Sequence, residues 1–132
     1  MKINNKYPQN EKLKSKKAIE ILFSKGKSIN AFPLRVIYIL KSENTDTQIN
    51  AGVTVSKKNI KTAVKRNLIK RRIREAYRLN NTELKNQLKK ADLEINIMLI
   101  YTSKEILPYK EIEAKIKVLL TRLIDLSEVV IE

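Results

Sequence analysis

Three observations predict an α+β fold for this chain. Helical and strand periodicities succeed one another along the sequence, the helical segments carry an apolar stripe able to cover a sheet, and 132 residues suit one hydrophobic core but not two. The expected order is α, β, β, α, β, α, which argues a two-layer sandwich of helices on a sheet. Hydrophobic residues make up 42% of the chain and charged residues 32%, so there is enough apolar surface to fold. One domain over residues 1–132 is expected, with residues 1–12 as a flexible basic arm.

The elements follow in order. Ser15 caps a first helix in which Ala18, Ile19, Leu22 and Phe23 recur at helical spacing, ending near Gly26. In "FPLRVIYIL", Leu34, Val36, Tyr38 and Leu40 alternate against Arg35, Ile37 and Ile39, the pattern of a strand. The polar run "KSENTDTQ" then reads as a hairpin loop. "INAGVTVS" puts Ile49, Ala51, Val53 and Val55 on one side and small polar residues on the other. A long helix is expected over 60–79, and "NNTELKNQLKKAD" adds one or two helical turns. "LEINIMLIY" has the apolar content of a central strand. Tyr109, Ile112, Ile116, Leu119, Leu120, Leu123 and Ile124 then mark an amphipathic helix lying over the sheet.

The chain has no Cys, hence no disulfide framework and no thiolate metal site, and a reducing cytoplasm is the plain inference. No run approaches the ~20 apolar residues that cross a bilayer, and the N-terminus lacks the apolar segment of a signal peptide. A soluble, unprocessed protein is expected.

Charge is the most informative feature. The net charge of +14 divides into +6 over residues 1–30, zero over 31–56, +9 over 57–78 and −1 over 79–132. A protein that is basic only for solubility has no reason to concentrate its cations in this way. One that presents a surface to a polyanion does, with nucleic acid the first candidate and an anionic membrane the second.

The stretch "VKRNLIKRRIREAYR", residues 64–78, carries seven Lys and Arg in fifteen positions. At about 100° per residue, Asn67, Lys70, Arg71, Arg74 and Arg78 fall within one arc, while Val64, Leu68, Ile69, Ile73, Ala76 and Leu79 fall on the other side, interrupted by Lys65, Arg72 and Glu75. The apolar side is expected to pack on the sheet. A solvated helix face usually mixes signs, yet Glu75 is the one acid between Lys57 and Arg78. Like charges four apart cost roughly 0.2–0.5 kcal/mol per pair, so a ligand that neutralises the face is favoured. Arginine forks suit phosphate oxygens, and Ser56, Lys57, Lys58 and Asn59 add donors where the second strand hands over to this helix. An exposed Phe23 or Tyr38 would stack an unpaired base, although such rings at helix or strand spacing are more often core.

No catalytic residues are found. The chain has no His, which excludes an imidazole general acid and base pair, and the acids of its basic half are scattered. Its two Gly provide no phosphate loop. From pattern alone the chain is a nucleic-acid-binding protein, with no metal or cofactor site of its own.

At this point "AGVTVSKKNIKTAVKRNLIKRRIREAYR" resembles the signature of the bacterial ribonuclease P protein family. The resemblance extends in order through "KLKSKKAIEILFSKGK", "LRVIYIL", "EINIMLIY" and the last helix. The family's pattern of Arg-Asn-Arg, one residue, Lys-Arg stands here as Arg66, Asn67, Leu68, Ile69, Lys70 and Arg71. Leu68 departs from the third position, and Arg72 is the neighbour placed to take over its contact.

The resemblance implies a compact sandwich like ribosomal protein S5 domain 2, with a left-handed β-α-β crossover. It implies a protein subunit assisting a catalytic RNA, which holds the magnesium ions and removes the 5′ leader of precursor tRNA, with one protein per RNA. Carried over by position, Arg66, Asn67, Lys70, Arg71, Arg74 and Arg78 would face the RNA subunit. Phe23, Tyr38, Lys57 and Lys58 would lie near a cleft between the first helix and the sheet that holds the single-stranded leader; Ile19 stands where the family often has a further aromatic. The competing readings are a structural RNA-binding protein of the ribosome, a protein-only nuclease and a membrane-surface protein.

Overall fold

The structure, a computed structural model, describes residues 16–41 and 49–131, with side chains of the last helix described to residue 128. The arm, the Ser15 cap and the loop over 42–48 lie outside the described residues. The elements are α1 (Lys16–Lys25), β1 (Lys27–Ala31), β2 (Leu34–Lys41), β3 (Ile49–Val55), α2 (Ala63–Asn80), α3 (Thr82–Ala91), β4 (Glu94–Tyr101) and α4 (Tyr109–Ile131). They form the α+β architecture expected, with one additional strand and α3 a full ten residues long.

The four strands stand in the order β1-β2-β4-β3. The antiparallel hairpin joins β1 to β2, not β2 to β3 as the loop composition suggested. β4 inserts between β2 and β3, antiparallel to the first and parallel to the second. The physical reason lies in β4 itself, whose side chains are buried at seven of eight positions and which therefore needs a partner on each edge. β1, "KSINA", escaped the sequence reading because it is an edge strand that buries Ile29 alone.

The period of two divides the sheet into unlike faces. Leu34, Val36 and Tyr38 of β2, Ile49, Ala51 and Val55 of β3, and Ile95, Ile97, Leu99 and Tyr101 of β4 join the main core. α4 covers that face with Ile112, Ile116, Leu119, Leu120 and Leu123, all buried, and α2 and α3 pack beside it. On the opposite face, Leu22 of α1 meets Ile37 and Met98 in a small cluster bordered by Ile19, Ile39 and Ile100. α1 reaches β2 and β4.

Gly26 follows α1 for a reason of space. Its backbone has no positive φ, but a Cβ there would run into Ile37 Cγ2 and the Leu22 carbonyl oxygen, so a glycine lets the helix end lie against β2. At the end of α3 the left-handed residue is Asp92, φ 54°, whose N–H caps the carbonyls of Leu88 and Lys89.

α2 is rotated relative to the expectation. Its buried residues are Ile69, Ile73, Ala76 and Tyr77, whereas Val64 is 76% exposed and Leu79 52%. Tyr77, 1% exposed, extends the buried side beyond Ile73, on the flank away from Val64 and Leu79. Ile69 and Ile73, fully buried, each contribute about 1.5–3 kcal/mol. At the α2–α4 contact, Asn80 donates to the Ala76 carbonyl and, at 3.1 Å, to Glu113. Burial first and the Glu113 carboxylate second push the Tyr109 phenol above its usual range.

Candidate nucleic-acid interface

With Ile69, Ile73, Ala76 and Tyr77 turned inward, Asn67, Arg71 and Arg74 are exposed on the outer side of α2 and Lys70 is half-buried at its margin. None of these four side chains makes a hydrogen bond or ion pair with a described residue. The first turn of α2 contains no acid, and its N-cap Thr62 makes no side-chain capping bond, so the positive end of the helix dipole is not offset locally. Lys57, Lys58, Lys61 and Lys65 are exposed around that end.

The other arginines of α2 are engaged within the fold. Arg66 folds back and its Nη1 donates to the carbonyls of Ile60 and Lys61, each at 2.8 Å, fastening the segment that leads into the helix. Arg72 Nη1 donates to the Leu107 carbonyl at 2.8 Å, tying α2 to the loop before α4. That loop is pinned again by Tyr101, whose hydroxyl donates to the Glu105 carbonyl and accepts from the Leu107 N–H. Arg72, the neighbour expected to take over the contact that Leu68 lacks, thus has its Nη1 engaged within the fold. Arg78 makes a two-point ion pair with Glu75 at 2.6 and 3.3 Å, and that bond holds its positive charge more firmly. The backbone partners of Arg66 and Arg72 left no trace in the sequence; the placing of Arg72 among apolar neighbours was the one available signal.

The residues expected at a leader cleft are only partly brought together. Phe23 is 50% exposed on α1, and Lys57 and Lys58 are exposed in the turn after β3, where the Lys58 N–H donates to Ser56 Oγ at 3.0 Å. Tyr38 departs from the expectation. It is 7% exposed and belongs to the main core, on the face opposite α1, because strand alternation sends Ile37 rather than Tyr38 toward that helix. Among the described residues no group of three Asp or Glu gathers in a way that would hold a metal ion.

The family model described as Ribonuclease P matches residues 7–124. The chain is similar to the ribonuclease P protein component of Porphyromonas gingivalis, with 35% identity over 115 residues, covering 87% of this chain and 84% of that one. It is 32% identical over 114 residues to the component from Clostridium novyi, covering 86% and 94% of the two chains. Among solved structures, the RNase P protein of Staphylococcus aureus superposes with a TM-score of 0.64 at 23% identity, covering 85% of this chain and 94% of that one. The Thermotoga maritima protein gives 0.63 at 24%, covering 85% and 96%. An α+β sandwich with these neighbours, a basic helix turned outward and a family match over most of the chain together place this protein in the ribonuclease P protein family.

Proposed function

We propose that the chain acts as the protein subunit of an RNase P ribonucleoprotein, assisting removal of the 5′ leader from precursor tRNA. The observation that carries this reading is the outward face of α2, where Asn67, Lys70, Arg71 and Arg74 have no partner among the described residues. Unneutralised arginines on a rigid helix suit the phosphates of a folded RNA. Arg66 and Arg78 flank that face, each with donors beyond those used in the fold. Phe23, Lys57 and Lys58 are the exposed residues of the set assigned to the leader, and Tyr38 is not carried forward to it.

In this reading the catalytic centre and its magnesium ions belong to the RNA, and the protein contributes binding. Cations between two RNAs offset their repulsion, and leader contacts add affinity that the RNA alone lacks, so the magnesium requirement falls. One protein per RNA in the cytoplasm completes the proposal. The test is cleavage of a labelled precursor tRNA at low magnesium by the protein, by the partner RNA and by both. Cleavage by both alone is the expected result. No enhancement by the protein supports the ribosomal reading instead, and cleavage by the protein alone contradicts the division of labour.

A further inference from the structure

The residues assigned to RNA stand on different pieces of chain. Lys57 and Lys58 lie in the turn after β3, whereas Asn67, Lys70, Arg71 and Arg74 belong to α2. Residues 56–62 join the two. Their start is closed as a turn, in which the Ile60 N–H donates to the Ser56 carbonyl and the Lys58 N–H to Ser56 Oγ, each at 3.0 Å. The Ile60 side chain, 4% exposed, anchors the turn in the main core. From Ile60 to Thr62 the chain is neither helix nor strand, and the carbonyls of Ile60 and Lys61 accept no backbone N–H of a described residue.

Arg66 supplies what the backbone omits there. Its Nη1 reaches back six and five residues to donate to both carbonyls at 2.8 Å. One nitrogen with two hydrogens can hold two carbonyls at once, and a charged donor makes the stronger kind of hydrogen bond. The guanidinium thereby fastens the lysine turn to the helix. The ammonium groups of Lys57, Lys58 and Lys61 are exposed and make no hydrogen bond or ion pair with a described residue, so their placing follows the backbone of the turn.

On the reading that Lys57 and Lys58 take the leader, we propose that Arg66 is a positioning residue for the precursor. Its guanidinium holds the lysine turn in fixed register with the cations of α2, so that an RNA docked on the helix and a leader held at the turn keep one mutual geometry. This role differs from the direct RNA-subunit contact that the resemblance implies for Arg66. A turn held in shape before binding has less conformational freedom to lose when the leader arrives, so the clamp acts on leader affinity.

The test is a double-mutant cycle in the assembled complex, at protein concentrations that saturate the partner RNA, so that assembly is not what is read. The quantity is the affinity for precursor tRNA relative to the same tRNA without its leader. Lys57→Ala with Lys58→Ala should lower this ratio about tenfold and Arg66→Ala about fivefold. All three together should lower it no further than the lysine pair, because the Arg66 effect passes through the lysines. Arg66→Lys keeps the charge without the planar fork and should behave as Arg66→Ala does; it takes the place of the alanine variant in the cycle if that one does not fold. Losses that multiply in the triple variant, or a normal ratio with Arg66→Lys beside a lowered one with Arg66→Ala, would overturn the proposal by making Arg66 a direct RNA contact. A lysine pair without effect on the ratio would instead overturn the leader assignment of the turn, and the proposal with it.

Discussion

The cations of α2 form two groups that one-letter code does not separate. Arg66 and Arg72 spend guanidinium donors on the carbonyls of Ile60, Lys61 and Leu107, and Arg78 is held by Glu75. Lys65, Lys70, Arg71 and Arg74 make no such bond among the described residues. The first group fixes where the helix lies; the second has no role in the fold that the structure shows. The burial of Ile69, Ile73, Ala76 and Tyr77 fixes how α2 is turned, and with it which cations face outward.

Substitutions should separate these groups. Arg71→Ala with Arg74→Ala should weaken partner-RNA binding by about 100-fold, at roughly tenfold for each lost charged contact, while stability stays within about 0.5 kcal/mol. Filter binding and thermal melting read the two quantities. An equal loss of stability would place both residues with the structural group. Arg66→Ala is the intermediate case. It should lower stability by about 2 kcal/mol, because two carbonyls lose one donor, and weaken RNA binding as well.

Arg72→Ala should lower stability by about 1 kcal/mol through loss of the Leu107 bond, measured by denaturant unfolding, with RNA affinity at most slightly changed. The smallest effect is expected from Glu75→Gln, which releases Arg78 and removes the single acid of the outer face. RNA affinity should rise a few-fold with the melting temperature nearly unchanged. A fall in affinity would show that the ion pair positions Arg78 for RNA.

Much of this architecture was legible because it rests on periodicity. The alternation of β2 and β3 and the stripe of α4 identified their buried faces, and the concentration of charge over 57–78 identified α2 as a polyanion-binding candidate. Pairing was not legible. The hairpin expected between β2 and β3 rested on a polar loop, but sheet order is set by which strand most needs two neighbours, and β4 does. The face of Tyr38 followed from its alternation with Ile37; what the sequence could not supply was which face α1 would cover. Contacts such as Arg72 to Leu107 and Asn50 to Asn96 join residues 35 and 46 positions apart, and neither leaves a local pattern.

The central claim is that the outer cations of α2 neutralise RNA phosphates. The direct measurement is the slope of log affinity for the partner RNA against log salt concentration, compared among the unsubstituted protein, the Arg71→Ala, Arg74→Ala double variant and Arg72→Ala. The slope should become shallower by about 1.5–2 in the double variant and stay the same in Arg72→Ala. Parallel lines for all three proteins, or an equal flattening by Arg72→Ala, would contradict the assignment.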